Sequence, residues 1–416
     1  MRAYRITGGT PLCGEITISG AKNAVLPIMA ASLICAQEST LFSCPEISDV
    51  ENAIAILRDL GCETKRQGEL LTIDTYPACA CEIAPQRMRT MRAAVIFLGA
   101  LLTRFGEARL FTPGGCRLGQ RPIDLHLMGL RHMGYHCEYD GDALYCCEEN
   151  LRGCTIALPF PSVGATENIL LAALRCREEV VICNAAKEPE ISDLICFLRK
   201  CGAQIAGENT SVVRVCGGKK LHGTKHMIVP DRMEAASYLC AGAATRGKIC
   251  LKNVCAAHLR AVTDVLRRAG CTVKISGDEI VLSANKIQAV SPIHTAPYDG
   301  FPTDAQAPVM AVMAAAEGVS VFEETIFSDR YRHVSALRQM GAHIYAAGRY
   351  AIVEGVTQLN GANVEATDLR GGAAMVIAAL NANGESTVTN VAHMERGYAG
   401  MVEKLSACGA RISIME

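Results

Sequence analysis

Val262-Thr263-Asp264-Val265-Leu266-Arg267-Arg268-Ala269-Gly270-Cys271-Thr272-Val273-Lys274-Ile275-Ser276-Gly277-Asp278-Glu279-Ile280-Val281-Leu282 is the stretch from which the fold can be read. Val262, Val265, Leu266 and Ala269 recur at helical spacing and make one apolar stripe. Gly270 then stands where a helix ends on a left-handed residue. Beyond it the sequence alternates, breaks at Ser276-Gly277-Asp278-Glu279 and resumes as Ile280-Val281-Leu282, the signature of a hairpin. The unit is therefore a helix, a glycine stop and a hairpin.

Its closing signature, Leu-x-x-(apolar or small)-Gly, occurs six times, from Leu57, Leu130, Leu198, Leu266, Leu337 and Leu405. The glycines fall at 61, 134, 202, 270, 341 and 409, separated by 68 to 73 residues. A fixed period of this kind marks an internal repeat. Each copy opens with a second, more apolar helix whose start is polar. These starts are Lys22-Asn23, Arg89 to Arg92, Thr166-Glu167-Asn168, Asp231-Arg232, Thr303-Asp304 and Asp368-Leu369-Arg370. Helices such as Ala307 to Ala316 are apolar nearly all round, which predicts buried helices with sheets outside them. The last copy stops after its first strand, Ile412-Ser413-Ile414. Strands at Tyr4 to Thr7 and Glu15 to Ser19 are expected to close that domain. The reading is an α/β protein of two three-repeat domains: residues 21–230, and residues 1–20 together with 231–416.

Composition agrees with two domains, because 416 residues exceed the roughly 250–300 at which single cores stop growing. Half the residues are apolar and a net charge of −1 offers no attraction for nucleic acid or an anionic membrane. Met1-Arg2-Ala3-Tyr4-Arg5 leads into Ile6-Thr7-Gly8-Gly9 with no apolar signal core, and the longest apolar run, Ala93 to Thr103, is shorter than the ~20 residues of a membrane span. A soluble, cytoplasmic protein is expected. Its 21 cysteines are odd in number and irregularly spaced, which points to a reducing compartment and to thiols used as small core residues. Cys79-Ala80-Cys81 and Cys146-Cys147 lack the second pair or histidines that zinc requires.

Chemistry concentrates in Pro113-Gly114-Gly115-Cys116-Arg117-Leu118-Gly119-Gln120-Arg121-Pro122. Three glycines and two prolines exclude a helix or strand interior. Neighbouring positive charge favours thiolate at Cys116, and Arg121 can grip a phosphate or carboxylate bidentately. Taken alone, the loop leaves open an incidental thiol on a surface turn. The repeat adds two recurrent positions for charge. One is the N-termini of the buried helices, where exposed N–H groups favour anions. The other is the connections carrying Cys116 with Arg121, Glu188, Arg260, Arg330 and Arg396. Two such lobes facing each other would enclose a cleft suited to a substrate with several phosphates or carboxylates. Asp231, Asp304 and Asp368 are also ordinary helix caps, and Asp368 could simply pair with Arg370.

Several stretches resemble a known family. They are Ser19-Gly20-Ala21-Lys22-Asn23-Ala24, the Cys116 loop, Ser162-Val163-Gly164-Ala165-Thr166-Glu167-Asn168, Asn184-Ala185-Ala186-Lys187-Glu188-Pro189-Glu190, Phe301-Pro302-Thr303-Asp304, Asp368-Leu369-Arg370 and Arg396-Gly397-Tyr398. Together they are similar to the UDP-N-acetylglucosamine enolpyruvyl transferases of the EPSP synthase-like family, from end to end. The resemblance implies two inside-out α/β barrel domains, each of three βαβαββ-type repeats in pseudo-sixfold arrangement, with the active site in the interdomain cleft. It implies transfer of the enolpyruvyl group of phosphoenolpyruvate to the 3′-hydroxyl of UDP-N-acetylglucosamine with release of phosphate, the first committed step of peptidoglycan precursor synthesis. No metal, organic cofactor or nucleic acid is implied.

By the same resemblance Cys116 is the general acid toward C3 of phosphoenolpyruvate, and it is the residue that fosfomycin alkylates. Asp304 receives the 3′-hydroxyl proton or hydrogen bond. Lys22, Arg121 and Arg396 hold phosphate, while Arg92 and Arg370 lie near the carboxylate or the moving loop. Asn23 and Arg330 position substrate. The nucleotide side is Arg121, Pro122, Ile123, Asp124, Leu125, Ser162, Val163, Gly164 and Asp304, with Glu188, Asp231 and Asp368 completing the substrate-binding set. The Cys116 loop is expected to close over the nucleotide sugar. Two positions depart from the family pattern: Glu395 stands where aspartate is usual, and Phe160 where some relatives carry lysine. The shikimate enolpyruvyl transferase, which shares the fold, lacks the cysteine loop, and a non-catalytic UDP-sugar-binding paralogue would not need Lys22, Cys116, Asp304 and Arg396.

Overall fold

The computed structural model describes residues 2–111 and 123–416, apart from the Arg92 side chain. Cys116, Arg121 and Pro122 lie outside the described residues. The chain falls into two compact units, one built from residues 2–19 and 230–416, the other from 20–111 and 123–229.

All six signature glycines take positive φ, between 88° and 100°. The reason for the conserved spacing inside the chain is visible in the hydrogen bonds. Gly61 N donates to Arg58 O (2.9 Å) and Cys62 N reaches back to Leu57 O (2.9 Å), the paired bonds of a Schellman stop. Ala203, Cys271, Ala342 and Ala410 make the same bond to Leu198, Leu266, Leu337 and Leu405, each at 3.0 Å. The signature leucine supplies the accepting carbonyl and buries its side chain.

After the stop comes the expected hairpin, as in Thr272–Ser276 against Glu279–Ser283 and His343–Ala347 against Tyr350–Glu354. In the sixth copy Arg411–Met415 has no following strand. Ala3–Thr7 inserts between it and Glu385–Thr389, antiparallel to both. Cys13–Thr17 runs parallel to Lys248–Lys252, whereas Lys225–Met227 joins Glu38–Phe42 in the other unit. The unit holding the C-terminus thus has three four-stranded sheets. The other has two four-stranded sheets and a three-stranded one, made of Glu107–Phe111, Ala143–Glu148 and Tyr135–Asp140.

The six apolar helices form the centres. Arg232–Ala244, Thr303–Met313 and Leu369–Asn381 pack against one another in one unit; in the other, Phe97–Phe105 packs against both Lys22–Cys35 and Val163–Ala173. Every residue of Arg232–Ala244 after Arg232 is buried. Among the described residues no helix is long and apolar enough to cross a membrane.

Candidate active site

In the unit of residues 20–229, Lys22 opens the inner helix Lys22–Cys35. The chain reaches it through Gly20, where a Cβ would collide with the Ser43 carbonyl oxygen, so glycine is required by the close approach. The Lys22 side chain is buried and its Nζ sits 2.6 Å from Asp49 Oδ2, on the first turn of Ser48–Asp59. Asn23 is exposed beside it. Arg92 begins a 3-10 turn over Arg92–Ile96.

Ser162 caps the inner helix Val163–Ala173, its Oγ accepting from Ala165 N (3.3 Å), and Val163 and Gly164 are half-buried in its first turn. Ile123 and Leu125 are half-buried and Asp124 exposed at the start of Asp124–Met133. The two helices are tied by Asn168. Its Nδ2 lies 2.9 Å from His126 Nδ1 and 3.1 Å from Val95 O, while its Oδ1 accepts from Gly99 N (2.7 Å). An amide donor at Nδ1 leaves the proton on Nε2 of a neutral ring. Burial pushes the His126 pKa down to about 4, against the opposing pull of Asp124.

Glu167, on the same inner helix, is buried, and Glu188 and Glu190 act on it from the start of Pro189–Lys200. Burial raises its carboxyl well above the ordinary range, and both neighbouring carboxylates push the same way. Glu188 is half-buried and Glu190 buried.

In the other unit charge is arranged differently. Asp304, in the first turn of Thr303–Met313, is held at both oxygens: Arg330 Nη2 donates to Oδ1 (2.9 Å) and Arg370 Nε to Oδ2 (3.1 Å). Both guanidiniums are nearly inaccessible, at 3% and 4%, while Asp304 keeps 29% of its side chain exposed. Arg330 also donates to Thr303 O (3.1 Å). Arg370 Nη1 donates to Tyr398 Oη (3.0 Å), which in turn lies 2.7 Å from Ser237 Oγ.

Asp368 does not pair with the Arg370 side chain. It caps Leu369–Asn381, with Oδ1 accepting from Arg370 N (3.0 Å) and Gly371 N (3.1 Å). Asp231 likewise caps Arg232–Ala244 through Met233 N (2.7 Å) and Glu234 N (2.9 Å). Both therefore hold backbone donors that anchor these helix starts, and Asp231 adds a favourable charge for Arg370. Arg396 is half-buried just past the short helix Ala392–Glu395, two residues before Tyr398. Arg260 is exposed. Glu395, one of the unusual positions, pairs with Arg2 (2.7 Å), and Phe160 is exposed.

The comparisons with known proteins point one way. The model of the EPSP synthase (3-phosphoshikimate 1-carboxyvinyltransferase) family matches residues 6–405. A UDP-N-acetylglucosamine 1-carboxyvinyltransferase of Granulibacter bethesdensis is 45% identical over 417 residues, covering 99% of both chains. Another, numbered 2, from Caldanaerobacter subterraneus subsp. tengcongensis, is 43% identical over 413 residues with the same coverage. This chain belongs to the EPSP synthase family, among its UDP-N-acetylglucosamine 1-carboxyvinyltransferases. Its fold is that of the enolpyruvyl transferase NikO from Streptomyces tendae, with a TM-score of 0.90 at 23% identity over 100% of this chain and 99% of that one.

Within this family fold, sequence reasoning missed Asp49, Ser237 and the bonding role of Tyr398. Tyr398 was visible in Arg396-Gly397-Tyr398, but nothing local indicates a partner 28 residues earlier. No metal-holding group of three or more His, Cys, Asp or Glu side chains occurs among the described residues.

Proposed function

We propose that this chain transfers the enolpyruvyl group of phosphoenolpyruvate to the 3′-hydroxyl of UDP-N-acetylglucosamine, releasing phosphate, in the cytoplasm. Its near-full-length identity to carboxyvinyltransferases of that acceptor carries the reading. The chemistry is addition followed by elimination. The 3′-oxygen attacks C2 as C3 gains a proton; loss of a C3 proton then expels phosphate from the tetrahedral intermediate.

The doubly clamped Asp304 supports its assignment at the acceptor hydroxyl. Each carboxylate oxygen can accept a second hydrogen bond, so the group orients the 3′-hydroxyl while its two guanidiniums keep it anionic. Such clamping weakens it as a base. Its first duty is therefore to align the hydroxyl, and the proton moves as C2 is attacked. Arg370 and Arg330 belong at carboxylate and reacting centre, where fixed cations offset charge developing in the intermediate. Lys22, held by Asp49, serves the phosphate with Arg121 and Arg396. Arg92 is assigned to the carboxylate and Asn23 to positioning substrate. Ile123, Asp124, Leu125, Ser162, Val163 and Gly164 form the nucleotide side with Arg121 and Pro122. Asp231 and Asp368 act by fixing the helix starts that carry Arg232 and Arg370, and Glu188 lines the same set. Cys116 delivers the proton to C3.

A coupled phosphate-release assay tests this with UDP-N-acetylglucosamine and shikimate 3-phosphate as alternative acceptors. Release requiring both phosphoenolpyruvate and the nucleotide sugar is expected; preference for shikimate 3-phosphate overturns the reading. Cys116→Ser should nearly abolish multiple turnover, and fosfomycin should add one mass increment there. Full activity with Cys116 blocked would remove that residue from the mechanism.

A further inference from the structure

We infer that Cys137 and Cys146 are a site of reversible thiol oxidation, at which hydrogen peroxide closes a disulfide across the hairpin of Tyr135–Asp140 and Ala143–Glu148. The two strands are joined by the two-residue turn Gly141-Asp142, and Asp140 stands opposite Ala143. Residues flanking such a turn form a narrow hydrogen-bonded pair, so alternation makes Cys137 and Cys146, three steps further on, a non-hydrogen-bonded pair. At that position Cα atoms lie ~4.5 Å apart, inside the ~4.4–6.8 Å that a disulfide spans. Paired residues face the same side, and the two thiols interact directly. Cys147 points to the opposite face, across from His136, and cannot substitute.

The local chemistry favours the reaction. Its neighbour Cys146 holds the Cys137 thiol below its ordinary range, and Arg131 pulls the same way against burial. Cys146 is pushed up by Cys137 and by burial. The Cys137 thiolate attacks one peroxide oxygen and the O–O bond breaks, leaving a sulfenic acid and releasing water once the departing oxygen is protonated. The Cys146 sulfur then attacks the Cys137 sulfur; the S–O bond breaks and a second water carries off the oxygen with the Cys146 proton. Two thiols are oxidised and one peroxide is reduced to two waters. Cys35 and Cys201 also touch, but both are 0% exposed, whereas Cys137 retains 6%.

The pair is placed to matter. Cys146 pairs with Ala108 in Glu107–Phe111, the strand that ends where residues 112–122 begin. Arg131, on the helix that follows them, donates to Cys137 O (2.9 Å). A cross-link would stiffen both anchors of the segment containing Cys116.

The test uses the full-length chain, treated with hydrogen peroxide, alkylated and digested without reductant. Trypsin releases residues 132–152 with Cys137, Cys146 and Cys147 and no internal Lys or Arg. Cleavage before Asp140 then separates Cys137 from the other two. Pieces that stay joined until dithiothreitol is added are expected, in wild type and in Cys147→Ser but not in Cys146→Ser. Alkylation of both Cys137 and Cys146 at a peroxide dose that oxidises the exposed Cys13 and Cys79 would overturn the proposal. So would a linkage through Cys147.

Discussion

The two three-repeat units bury ionisable side chains around their inner helices and stabilise them in opposite ways. In the C-terminal unit Asp304 answers both Arg330 and Arg370, and Tyr398 takes a remaining donor of Arg370. In the N-terminal unit Glu167 meets two further carboxylates, Glu188 and Glu190, and they raise its pKa together with burial. A buried group needs either an opposite charge or a neutral state, since an isolated ion in a low-dielectric interior is prohibitively unstable. The first solution yields fixed charges beside the start of Thr303–Met313. The second favours the neutral form of the acid, so its contribution depends on pH.

The sharpest way to break the contrast is Asp304→Asn. Two nearly inaccessible guanidiniums would then face each other without their carboxylate. Phosphate release should fall ~10²–10⁴-fold, and the unfolding free energy by about 3 kcal/mol. Normal turnover in a stable Asp304→Asn protein would remove Asp304 from the centre of the site.

Acid should weaken both units through one buried histidine each. Burial lowers His126 and His333 to about 4 from 6.5. Between those values the unfolded chain binds protons that the folded chain refuses, so stability present above pH 6.5 is lost as pH falls toward 4, by roughly 3 kcal/mol for each residue. Urea unfolding at a series of pH values checks this, and His126→Asn should shallow the slope. An unchanged slope would show that the imidazole charges freely.

Tyr398→Phe sharpens the C-terminal solution. It removes the acceptor for Arg370 Nη1 and the partner of Ser237, a loss of about 1–3 kcal/mol. If the ring hydroxyl orients Arg370, the KM for phosphoenolpyruvate should rise while that for the nucleotide sugar stays near normal. Equal changes in both would reduce Tyr398 to a packing residue.

Glu167→Gln should have the smallest effect, and its sign should follow pH. Because folding raises the carboxyl pKa above 4.5, the favourable neutral form is fully present below that value, and its contribution is lost as pH rises through the folded pKa. Thermal melts should show the glutamine variant gaining on wild type as pH rises. A constant difference would mean that Glu167 does not change charge.

Much of this was legible in local sequence. The Leu-x-x-x-Gly stops need one carbonyl and one left-handed residue at fixed spacing, and all six glycines adopt that conformation. Helices apolar all round could only be central, and a chain ending on one strand of a hairpin required a partner that Ala3–Thr7 supplies. The polar helix starts identified Lys22, Asp304 and Arg370 as candidates.

Their partners were not legible. Asp368 next to Arg370 invited a local ion pair, yet it satisfies backbone N–H groups, and the guanidinium turns instead to a carboxylate 66 residues earlier. Asp49 answers Lys22, and Asn168 joins three helical segments, each across a span that no periodicity encodes. Backbone conformation and burial depend on neighbours within a few positions, so the sequence carried the repeat, its stops and its buried helices. The charge state of a buried group depends on what the packed chain brings within a few ångströms. Folding alone therefore settled that Arg370 faces a carboxylate, and that Glu167 is buried beside two carboxylates that raise its pKa.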